Sequence, residues 1–119
     1  MRPTTRWLYH LLPAAEPIGK EPADRYAPPS LASQGFVHCS YLGAVRESAR
    51  LHFPIAAALS VLRLDPRLLD AAIIVEGTPR GPMPHVHGPI PARAIAARFS
   101  LAELDGQPDA IGDDEPGAS

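Results

Sequence analysis

Proline is spread so densely through this chain that no long helix can run between its occurrences. There are 15 prolines in 119 residues. Each fixes φ and removes a backbone donor, which predicts short elements and loops rather than a helical bundle. The density peaks in Pro84-His85-Val86-His87-Gly88-Pro89-Ile90-Pro91. Three prolines and a glycine there carry two imidazoles. A segment this stiff is expected to form the wall of a cleft, with His10 and His38 as its partners from the first third of the chain.

The length corresponds to one domain with a single core. Apolar content of 45% and charged content of 20% are those of an ordinary globule. No apolar run reaches the roughly 18 residues of a membrane span. Arg2-Pro3-Thr4-Thr5-Arg6 and the short apolar patch after it do not read as a signal peptide, so the expected compartment is the cytoplasm. One cysteine excludes an internal disulfide and a cysteine-based zinc site. The net charge of −2 is uneven. Residues 105–119 carry five acidic groups and no Lys or Arg, whereas the rest carries eleven basic and eight acidic groups. The expected organisation is an α+β domain over 1–104 and an acidic, flexible tail over 105–119. A mildly basic body suits a small anionic ligand and is not the dense footprint of a duplex-binding protein.

In order, Arg6 to Leu12 reads as a strand, with Trp7, Tyr9 and Leu11 on one face and Leu8, His10 and Leu12 on the other. Residues 13–35 are mostly irregular, with one turn within 14–18, Tyr26 as a packed anchor, and a short helix over 30–34 stopped by Gly35. Phe36 to Cys39 reads as a buried strand in which Cys39 packs. Ser40 is placed to cap a helix running from Tyr41 to His52. Leu42, Val45, Ala49 and Phe53 form its inner face, Arg46 and Arg50 its flank, and His52 a structural or surface position. Strands follow over 58–64 and 71–76, the second closed by Glu76, with one helical turn over 67–70 between them. A last strand runs over 92–101. Strand-rich order with one main helix predicts α+β architecture with a small mixed, mainly antiparallel split sheet. Neither a Rossmann glycine turn nor a P-loop lysine is present.

His85 and His87 face one side of an extended segment, so together with His10 or His38 they could form a three-histidine zinc or iron site. A serine hydrolase built on Ser40 lacks the G-x-S-x-G elbow. Four pieces in order carry a resemblance: Trp7-Leu8-Tyr9-His10-Leu11; Gly35-Phe36-Val37-His38-Cys39-Ser40; Val61-Leu62-Arg63-Leu64-Asp65 with Val75-Glu76; and Pro84-His85-Val86-His87-Gly88-Pro89-Ile90. Together they resemble the bacterial domain-of-unknown-function family 952 over residues 6–101. His87 stands where that family usually has tyrosine. The family in turn resembles the ADP-ribosyltransferase fold, which binds NAD in a cleft of a split sheet.

The resemblance implies NAD as cofactor and no metal. It places His38, Glu76 and His85 in catalytic roles and His10, Ser40 and His87 in ligand binding; Arg50, one turn from Arg46 on the helix flank, is a further ligand-binding candidate from its own position. A carboxylate on the ribose hydroxyls would stabilise an oxocarbenium-like centre, and Arg6, Arg46, Arg50 and Arg80 are the candidates for a pyrophosphate. Three readings follow: an ADP-ribosyltransferase-like enzyme, a non-catalytic nucleotide or small-anion binder, and a histidine-ligated metal hydrolase.

Overall fold

The computed structural model describes residues 5–112, except Lys20 and Pro22. The chain forms β1 (Leu8–Pro13), β2 (Arg25–Tyr26), α1 (Pro29–Gln34), β3 (Val37–His38), α2 (Val45–His52), β4 (Leu59–Leu64), β5 (Ile73–Thr78), β6 (Gly81–Val86), β7 (Ile90–Pro91) and β8 (Ile95–Ser100). Two three-stranded sheets, β1-β4-β8 and β3-β6-β5, are joined by the ribbon β2-β7. The protein is thus a small α+β fold with one main helix. Every pairing among these strands is antiparallel, so the parallel pairing expected of a mixed sheet does not occur among the described residues.

The first sheet is buried on both faces, and the period-two alternation of β1 explains how. Leu8 and Leu12 pack with Leu62, Leu64, Val37, Val86 and Ile90. Tyr9 packs on the opposite face with Val61, Phe99 and Val45 of α2, and Leu11 lies against that group. The helix is shorter than its sequence suggests. A 3₁₀ turn over Leu42–Ala44 precedes α2, whose N-cap is Ala44. Ser40 therefore caps nothing. Its backbone pairs with Tyr9 instead, N–H to O at 2.8 Å in both directions. The short helix α1 ends as expected on Gly35, at φ 85°.

Three further boundaries move. Glu76 does not close β5, which continues to Thr78 and turns tightly through Pro79-Arg80 into β6. The last strand is preceded by a 3₁₀ turn over Ala92–Ala94. The helical turn expected over 67–70 starts earlier, at Pro66, and is capped by Asp65. The Asp65 carboxylate is 2% exposed at residue level. It accepts from the Arg67 amide at 3.0 Å and from the Arg67 guanidinium at 3.0 and 2.9 Å. Burial acts to raise its pKa, but these bonds outweigh it and hold the carboxyl below its ordinary value. Asp65→Ala is expected to cost about 1–2 kcal/mol through the lost cap, read as a lower urea midpoint at unchanged m.

Residues 105–112 are tied to the body. Asp109 pairs with Arg6 at 3.0 Å and Asp105 with Arg46 at 3.0 Å. The Tyr9 hydroxyl donates to the Pro108 carbonyl, and Ile111 N–H donates to Thr5 O at 2.8 Å. Attachment thus continues past residue 104, where the flexible tail was expected to begin. Asp113, Asp114 and Glu115 of that tail lie outside the described residues.

Candidate functional site in the split between the sheets

Beyond their shared core, β1 and the segment leading from β3 are hydrogen-bonded through one backbone bridge and then part. Tyr9 of β1 and Ser40 exchange both backbone hydrogen bonds. In register, the next hydrogen-bonded pair would be Leu11 with His38. It does not form. The His10 imidazole inserts instead, with Nδ1–H donating to the His38 carbonyl at 2.6 Å. Tyr9 spends its amide and carbonyl on Ser40, so strand alternation turns those of Leu11 to the same edge, facing the gap.

Proline keeps the gap open on the other side. The His87 amide donates to the Ala72 carbonyl. Alternation from that bond directs the backbone of Pro82, Pro84 and Val86 towards β3 rather than β5. Val86 pairs there with Val37. Pro84 has no N–H to offer, so the ladder with β3 stops after two residues. The stiff stretch thus opens as the end of β6 and closes as β7, and Pro84 ends the pairing with β3 where the cleft begins.

The resulting cleft has a volume of about 450 Å³. Its floor is His10, Tyr26, Leu12 and Cys39; its mouth holds His38, His52, His85 and Arg80. His10 is 5% exposed. A carbonyl only accepts, so Nδ1 carries the proton and Nε2 accepts from the Tyr26 hydroxyl at 3.1 Å. Burial pushes the His10 pKa down to about 4, against the opposing effect of the His38 carbonyl. Tyr26 is pushed up to about 12 by burial and by the Glu16 carboxylate. Cys39 is buried and likewise raised to about 12, which makes it an inert packing residue.

Phe36 organises the mouth. Its ring stacks on His85 at 4.2 Å and meets His38 edge-on at 4.6 Å. The His38 and His85 rings are 5.4 Å apart, and His52 stacks near His38 at 6.1 Å. Nε2 of His38 meets the Gln34 side-chain oxygen. Both His38 and His85 titrate below the ordinary histidine value. Burial is the main cause for each, with neighbouring imidazoles adding to it.

The predicted residues do not all converge. His10, His38, Ser40 and His85 line the cleft. His87 is exposed beside Phe36 at 5.6 Å and is not part of the lining. Glu76 is exposed on the outer strand β5 and also lies outside the lining, although its charge acts to raise His85. The carboxylate that does line the cleft is Glu16. Arg50 is exposed on α2 and does not line the cleft. Arg6 and Arg46 are held by Asp109 and Asp105. Arg80 faces the cleft because the tight turn puts it there, with its amide bonded to Thr78 Oγ1 at 3.1 Å. The Ser40 hydroxyl meets Ser48 Oγ at 3.0 Å rather than a histidine. No group of three His, Cys, Asp or Glu is placed to hold a metal ion among the described residues. His10 has both ring nitrogens engaged.

His52, expected at a structural or surface position, is exposed and also lines the mouth of the cleft. It sits one helical turn beyond the buried Ser48, on the same face of α2, and that i, i+4 relation was the available signal.

Two comparisons bear on this arrangement. The X-ray structure of protein CC0527 from Caulobacter crescentus is similar, with a TM-score of 0.64 at 22% identity, covering 79% of this chain and 84% of that one. A double mutant of the same protein gives 0.64 at 21% identity, with the same coverage. At that identity the likeness extends to the fold alone. No curated protein matches the chain. The family model described as "Protein of unknown function (DUF952)" matches residues 12–98. That span takes in His38, Ser40 and the proline-bounded histidine stretch, and the chain belongs to this family.

Proposed function

We propose that this protein binds a small nucleotide-like anion in the cleft between its two sheets, with NAD-using, ADP-ribosyltransferase-like chemistry as the catalytic form of that reading. The observation that carries it is the parting of β1 and β3 beyond the Tyr9–Ser40 bridge. This puts a strand-edge amide and carbonyl, a tyrosine hydroxyl, histidines and an arginine around one cavity. The cavity is of ordinary ligand size. The Leu11 amide and carbonyl suit a group that both accepts and donates, such as a carboxamide or a base edge. Glu16 stands near Tyr26, where a carboxylate could take ribose hydroxyls and stabilise positive charge on the sugar.

A non-catalytic binder on the same site is favoured by the place of Glu76, which lies outside the cleft lining.

Calorimetry with NAD, ADP-ribose and AMP tests the common core. At least one is expected to bind, and Tyr26→Phe is expected to weaken it. Absence of binding by all three at millimolar concentration would overturn the reading. Where NAD binds, nicotinamide release that is lost in Glu16→Gln supports the enzyme; binding without release supports the binder.

A further inference from the structure

The mouth of the cleft holds several polar side chains without hydrogen-bond partners in the described residues, among them the donors of Arg80. None of the described residues hydrogen-bonds the imidazoles of His52 or His85 or the guanidinium of Arg80, and Nε of Arg80 is buried without a partner. His38 has one ring nitrogen on Gln34, and the other is free of any such bond. Buried polar atoms in folded proteins are ordinarily matched, and Arg80 Nε is one that is not. His85 is half-buried beside it, and His38 and His52 are exposed at the rim of the same small volume.

No carboxylate answers them. Glu16 lines the cleft, but its charge is felt at Tyr26 on the floor. The electrostatic neighbours of His38 are His85 and His52. Those of His85 are Glu76, on the exposed outer strand, and His87. The cleft is therefore polar along its length, with a carboxylate and a tyrosine at one end and three imidazoles and a guanidinium at the other. A ligand that completes it brings an acceptor-rich anion to the mouth. A tetrahedral phosphate offers several oxygens to donors arriving from different directions. The His38 ring lies 5.4 Å from that of His85, edge-on, and 6.1 Å from that of His52, near-parallel, and Arg80 lines the same cleft.

We infer that His38, His52, His85 and Arg80 form a phosphate-monoester subsite, so that the ligand of this cleft is a small phosphomonoester whose phosphate docks at the mouth. The inference rests on the cleft being the ligand site and goes on to say which end of the ligand lies where. His52 is new to the site in this role, and of the four arginines considered for a pyrophosphate Arg80 is the one that lines the cleft.

The test compares AMP, adenosine and inorganic phosphate on the full chain, by calorimetry and by the side-chain nitrogen resonances of the histidines. AMP is expected to bind at least tenfold more tightly than adenosine, as charge-assisted bonds to phosphate predict. Inorganic phosphate is expected to shift the His52 and His85 signals. Arg80→Gln and His52→Gln should each remove most of the AMP advantage while leaving adenosine binding unchanged. Neither side chain makes a hydrogen bond within the described residues that the fold would lose, and circular dichroism checks that both variants fold. Equal affinity for AMP and adenosine, or an AMP advantage that survives both substitutions, overturns the subsite and leaves the cleft standing. If none of the three ligands binds, the inference falls together with the reading beneath it.

Discussion

His10→Ala is expected to lower folding stability by about 3 kcal/mol at neutral pH and to abolish an acid limb in the stability curve. The imidazole fills the point where the sheets part, and it satisfies the His38 carbonyl and the Tyr26 hydroxyl together. Alanine leaves both groups without that partner and a void beside them. The pH dependence has a definite sign. The His10 pKa falls from 6.5 to about 4 on folding, so the unfolded chain binds the proton more readily. The contribution is whole above pH 6.5 and declines as the pH falls through that value. By pH 4 it is lost, a change of about 3 kcal/mol at roughly 1.4 kcal/mol per pH unit. Urea unfolding at pH 7.5 and 4.5 measures it. In His10→Ala the part due to this residue disappears, and parallel curves for the two proteins would contradict the account.

The second large effect is at Gly88. A Cβ there would lie 2.6 Å from the Cβ of Ala71. Glycine in the histidine stretch thus serves a close approach rather than an unusual φ, since the positive values fall at Gly35, Gly81 and Gly106. Gly88→Ala forces the link between β6 and β7 away from residue 71, at an expected cost of about 1–3 kcal/mol from overpacking. That link sets His85 on one side and the fully buried Ile90 on the other. The substitution should therefore also broaden the His85 side-chain signal. Gly88→Ala combined with Ala71→Gly relieves the contact and should recover most of the loss.

Part of this was legible in the sequence. Alternation in Trp7 to Leu12 put His10 on the face of Leu8 and Leu12, and the structure keeps it there. Gly35 marked the end of α1. What was not legible depended on tertiary pairing. Ser40 has the chemistry of a helix cap, but pairing with Tyr9 claims its backbone. The proline-rich wall hid a strand because proline is disfavoured inside a sheet; it is tolerated where β3 is only two residues long. Glu76 looked like a strand mouth because Gly77 follows, yet the hairpin continues to Thr78. The acidic composition of residues 105–112 concealed the pairing of Asp105 and Asp109 with arginines far away in sequence.

The central claim is that the ligand site is the gap between β1 and β3, and chemical-shift mapping during an AMP titration tests it most directly. Saturable shifts are expected at Leu11, Tyr26, His38 and His85, with β8 and residues 17–19 unchanged. Shifts confined to residues outside the cleft, or none at saturating ligand, would contradict it.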